Sequence, residues 1–210
     1  MKRRERGDTI IEVMFSFVIL SLLVVATYMV MNRGTQIAQR SLEITLVRQQ
    51  IDSQVSLIRY AQANNTQAWQ DIRNNHIVDS STIVNPTTFV EANGRCPSVA
   101  ENDLTTGRRA FFLAQTAAND DVRLVPISNT SYAAPQVYSQ INFSDAGNEQ
   151  AQGMFIQVTR AESNPSTGVS SGGTMAGDAY DVYINACWDS VGTAVPSTIG
   201  TITRIYDGRR

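Results

Sequence analysis

The sequence predicts an α+β protein in which a long N-terminal helix, half membrane-spanning and half amphipathic, packs on an antiparallel β-sheet. Three observations carry this prediction. Residues 13–32 contain no Asp, Glu, Lys, Arg, Pro or Gly. Apolar residues then recur at helical spacing to about Ala63. Beyond residue 108 the chain breaks into short runs that alternate apolar and polar side chains, as half-buried strands do.

Taken in order, the chain opens with Lys2, Arg3, Arg4 and Arg6, a basic cluster that favours the cytoplasmic side of a membrane. The uncharged run that follows reaches roughly 30 Å as a helix, the thickness of a bilayer's hydrocarbon core. Glu12 stands at its lip, where a carboxylate needs an interfacial depth or a cationic partner. From residue 35 to 63, Ile37, Ile44, Val47, Ile51, Val55 and Ile58 fall on one helical face, widened by Leu42, Leu46, Leu57 and Ala61. Arg40, Glu43, Arg48, Asp52 and Arg59 lie mostly off that stripe. No proline occurs before Pro86, so residues 8–64 are expected to form one helix of ~80 Å. Gly34 is its weakest point, at a cost of roughly 1 kcal/mol relative to Ala, and Asn64-Asn65-Thr66 ends the pattern.

Residues 65–210 read as a β-rich globular domain. Asn85-Pro86 and Asn93-Gly94 are turn signals. Strands are expected at 110–113, 122–127, 137–143, 154–159, 179–188 and 198–206. In the third, Val137, Ile141 and Phe143 share one side. The clearest is 179–188, with Tyr180, Val182, Ile184, Ala186 and Trp188 on one face and Cys187 on the other. The last run pairs with it as an antiparallel neighbour, and the sheet receives the apolar face of the helix. Residues 162–178, rich in Ser, Gly, Thr and Asn, form a loop too long for a hairpin, either solvated or binding.

Two cysteines, Cys96 and Cys187, fit one disulfide in an exported domain or, alternatively, two reduced and buried thiols. A bridge closing that loop stabilises by about 4–5 kcal/mol in the chain-entropy picture. No cofactor and no metal is expected. The single histidine, His76, has no Cys or His at ligand spacing and reads as a surface residue. Asn119-Asp120-Asp121 reads as a turn rather than a calcium site. Lys2 is the only lysine, which removes a phosphate loop with its lysine from consideration once the leader is gone. No basic stripe for nucleic acid is present. Nothing in the sequence points to an enzyme.

The N-terminal string carries a resemblance. Gly7-Asp8-Thr9-Ile10-Ile11-Glu12-Val13-Met14, behind a short basic leader and ahead of the uncharged helix, resembles the type IV pilin and pseudopilin family. The resemblance covers about the first sixty residues. It implies a cytoplasmic leader, residues 1–7, cut off by a prepilin peptidase between Gly7 and Asp8, and a Glu five residues past the cut, here Glu12. It also implies other pilin subunits and a membrane assembly platform as partners. The implied residence is the cytoplasmic membrane, single-pass with the N-terminus inside and 13–32 in the lipid, followed by an extracellular pilus or pseudopilus. Two residues depart from the pattern. Asp8 stands where the family usually has Phe or Met, which bears on methylation of the new amine, and the membrane helix lacks the Pro of common pilins. After cleavage the chain holds 13 basic and 18 acidic residues, net −5. Thr9 and Glu12 also fit a capping box, which gives Glu12 a purely local alternative role. The competing class is a single-span, membrane-anchored extracytoplasmic binding protein or enzyme that does not polymerise.

Overall fold

The computed structural model describes residues 8–84, 95–96, 104–105, 107–115, 121–135, 137–143, 149–161, 178–190, 192–193 and 195–208. A long N-terminal helix packs on an antiparallel β-sheet, the α+β arrangement that the sequence predicts. Helix α1, Asp8–Asn64, is unbroken through Gly34. The chain divides into two compact units at Leu42/Glu43.

The second unit holds the core. On its part of α1 the buried stripe is Glu43, Val47, Ile51, Gln54, Ile58 and Ala61. The spacing is the expected one, but two members are polar. Glu43, read from the sequence as lying off the stripe, is 5 % exposed; its Oε2 accepts from Trp188 Nε1 at 3.0 Å and from Ser190 Oγ at 2.6 Å. A buried carboxylate with two donors escapes most of the desolvation cost that otherwise expels it.

Asn65 ends the helix with φ 50°, while its N–H bonds to Gln62 O and that of Thr66 to Ala61 O. This is the Schellman pattern, and Asn is one of the few side chains that tolerate the left-handed region. Thr66 then caps α2, Gln67–Asn75, by accepting from Trp69 N–H. The short helix α2 was not expected. It buries Trp69 edge-on against Tyr180, at 5.5 Å between centroids, and places Trp69 Nε1 3.0 Å from Asp207 Oδ2. A single 3₁₀ turn follows at Ser80–Thr82.

The main sheet has the order β2-β1-β6-β7-β8, all antiparallel, from Phe111–Gln115 (β1), Val122–Pro126 (β2), Met154–Arg160 (β6), Asp178–Trp188 (β7) and Ser197–Asp207 (β8). A small sheet of order β3-β5-β4 comes from Tyr132–Ala133 (β3), Gln140–Asn142 (β4) and Gln150–Gln152 (β5). The strand expected at 137–143 shrinks to β4. Ile141 is buried, whereas Val137 is 58 % and Phe143 45 % exposed, so the shared apolar side does not form.

Gly153 is the corner between β5 and β6. Its N–H bonds to Ala133 O in the small sheet and its C=O accepts from Cys187 N–H in the large one. It holds φ +69°, and a Cβ there would stand 2.2 Å from Cys187 O.

β1 and β6 pair only at Phe111 and Ile156. Beyond that point Gln54 from α1 fills in for the missing strand, its Nε2 donating to Leu113 O at 3.0 Å and its Oε1 accepting from Leu113 N–H at 2.9 Å. On the face away from α1, Gln157 Oε1 accepts from Val84 N–H, and Asn185 Nδ2 donates to Val84 O. Cys187, on that same side, is bridged to Cys96 with Cα atoms 5.7 Å apart. Of the two sequence readings of the cysteines, the disulfide is the one found.

Candidate membrane and assembly helix

In the first unit, the described residues begin at Asp8, already helical; Gly7 and the rest of the leader lie outside them. Thr9 is helical as well. Glu12 lies a turn inside the helix, exposed, with no hydrogen-bond or ion-pair partner among the described residues.

From Ile10 to Met31 every large apolar side chain is between 51 and 71 % exposed. They surround the helix on all sides, so no single face of it is set aside for a core. An exposed helix of that composition needs an apolar solvent or further helices around it. The helix is long and apolar enough to cross a membrane. Two of its hydroxyls are satisfied locally: Ser21 Oγ donates to Phe17 O at 2.7 Å and Thr27 Oγ1 to Val24 O at 2.9 Å. Such internal bonds satisfy those two donors where water is absent. The next charges after Glu12 are Arg33 and Arg40, both exposed. Arg33 lies 21 residues from Glu12, about 31 Å along a helix.

The remaining sequence candidates lie in the second unit. His76 ends α2; its Nδ1 is 3.0 Å from Arg109 O and its ring meets Phe111 edge-on at 5.2 Å. It is half-buried and joins two elements, rather than standing free on the surface. Asp121 accepts from Val122 N–H, as a turn residue does, while Asn119 and Asp120 fall outside the described residues. The long loop expected at 162–178 lies outside them up to residue 177, as do the turns at Asn85-Pro86 and Asn93-Gly94; Asp178 already belongs to β7. Among the described residues no three His, Cys, Asp or Glu side chains converge as metal ligands.

On β7 and β8 the cross-strand pair Asp181 and Arg204 is bidentate, at 2.7 and 2.8 Å. Its hydrogen bonds and charge raise the Arg204 guanidinium further above its ordinary range. Sequence reading missed Gln54 and Glu43, whose signal was only that a polar residue occupied a stripe position. Compared with family models, curated proteins and solved structures, the chain matches none.

Proposed function

We propose that this chain is a structural subunit of a type IV pilus-like filament, a minor pilin or pseudopilin serving a pilus, a secretion system or DNA uptake. A prepilin peptidase removes residues 1–7, the segment 13–32 crosses the cytoplasmic membrane, and the helix then packs among those of other subunits on a membrane assembly platform. The subunit itself is not an enzyme.

The observation that carries the reading is Glu12: an acid five residues after Gly7 with no partner among the described residues, at the mouth of an exposed, uncharged helix. A carboxylate entering a bundle of apolar helices requires a cation. Cleavage creates one, the amine on Asp8 of a neighbouring subunit, whereas the next cation of the same helix, Arg33, lies about 31 Å away. Pairing Glu12 with that amine fixes a single axial register. Asp8 tunes the contact, because its own carboxylate competes for the amine.

N-terminal sequencing of the purified protein tests the reading first: it should begin at Asp8, and an intact Met1 or a start beyond Asn32 rejects it. Removing one partner of a buried pair costs roughly 3–5 kcal/mol. Glu12→Ala and Glu12→Gln should therefore leave insertion and cleavage intact while depleting the sheared surface fraction. Wild-type amounts of both variants in that fraction would refute the role given to Glu12.

A further inference from the structure

The two edges of the main sheet are finished differently. Ala161 N–H bonds to Ala179 O and Cys187 N–H to Gly153 O, so the odd residues of β7 turn their backbone groups to β6 and the even ones to β8. In register those even residues meet Ser197, Ile199, Thr201, Thr203, Ile205 and Asp207. By the alternation of an antiparallel ladder, Thr198, Gly200, Ile202, Arg204 and Tyr206 turn their N–H and C=O groups outward. Tyr206 O accepts from Gln62 Nε2 at 3.3 Å. The other four have no backbone partner on that side among the described residues.

The opposite edge is blocked at both ends. On β2, Pro126 has no N–H and its carbonyl accepts from Ser131 Oγ at 2.6 Å, while Val122 N–H goes to Asp121 Oδ1 at 2.8 Å. Apart from the Gln62 bond to Tyr206 O, β8 uses none of these devices. Its 11 residues include no Pro and no Lys, which makes it a template for another strand.

The relief of this edge is self-complementary. Ile202 projects from it, 62 % exposed. Two residues earlier Gly200 presents no side chain; with Thr201 and Ile202 itself it borders an open cleft of about 330 Å³, walled on the other sides by Ser80, Ile83, Val84, Tyr183 and Asn185. We propose that β8 pairs antiparallel with β8 of a second copy of this chain, Gly200 of each opposite Ile202 of the other. All four open residues then form hydrogen-bonded pairs, because Thr198 falls opposite Arg204. Each Ile202 lies beside the other copy's Gly200 and leans into its cleft. No like charges meet, and each Arg204 is already neutralised by its own Asp181. Sliding the pair so that Ile202 faces Ile202 leaves both clefts empty. The contact is two-fold and closed. It uses only residues of the second unit and stands or falls apart from the filament reading.

Thr201 sits on the two-fold axis of this register as a non-hydrogen-bonded pair, with Cα atoms about 4.5 Å apart and within disulfide reach. Full-length Thr201→Cys, oxidised in membranes, should run at twice the chain mass on a non-reducing gel and return to single mass with reductant. Adding Ile202→Arg should cut that species by about tenfold or more. Because a third thiol can disturb the native bridge, sedimentation of the cysteine-unchanged full chain in detergent supplies a second measurement, with the wild type dimeric and Ile202→Arg monomeric. The proposal is overturned by a monomeric wild type, by stronger cross-linking through Ile202→Cys than through Thr201→Cys, by a dimer indifferent to Ile202→Arg, or by a cross-link to a different polypeptide.

Discussion

Gln54→Met isolates what a helix side chain contributes when it stands in for a strand. Methionine has nearly the length of glutamine, so the change leaves little cavity, but it removes both bonds to Leu113. Gln54 is fully buried, and so is Leu113, so water cannot replace either bond. Each stranded backbone group costs about 1–3 kcal/mol, and burying the apolar methionine end returns roughly 1 kcal/mol. The net loss is about 1–5 kcal/mol, which for a chain of this size lowers the midpoint of thermal unfolding by roughly 2–20 °C. Trp69 and Trp188 are both buried in the same core and report its opening by fluorescence, with the full chain held in detergent. A shift below about 2 °C would mean that β1 and β6 close over Leu113 by themselves, and that Gln54 is a spectator.

Two further outcomes follow from the same unit. Gly153→Ala meets both a positive φ and Cys187 O at 2.2 Å, so the corner between the two sheets has to move; a loss of about 1–3 kcal/mol is expected in urea unfolding, and unchanged stability would refute the role of that corner. Reducing Cys96–Cys187, which spans 91 residues, should cost about 4–5 kcal/mol in the chain-entropy picture; in native protein without reductant both thiols should resist alkylation, and their quantitative labelling would contradict the bridge.

What the sequence made legible was periodic. The apolar repeat after Thr35 located α1, and the alternation in 179–188 located β7, because in both the core selects one face of a regular element. Where burial is by hydrogen bond rather than by side-chain polarity, the pattern misleads. Glu43 and Gln54 occupy core positions yet look like solvent-facing residues, since their compensating donors and acceptors lie 59 or more residues away in the chain. Helix α2 is nine residues long and mostly polar, and β3 and β5 span two and three residues, too short for any period to register. For the candidate assembly segment the readable part is composition: the uncharged run and Glu12 at its edge are plain in the sequence.

The ties between α1, α2 and the far end of the chain also set an order of events in time. Glu43 reaches Ser190 across 147 residues, Gln62 reaches Tyr206 across 144, and Trp69 reaches Asp207 across 138. A ribosome delivers the first partner of each pair long before the second. Until β7 and β8 emerge, Glu43, Gln62 and Trp69 lack these partners, and loop closures of that length slow the search once they do. The nascent chain therefore travels with its helix complete and its sheet unfinished, and folding of the second unit waits on its final strand.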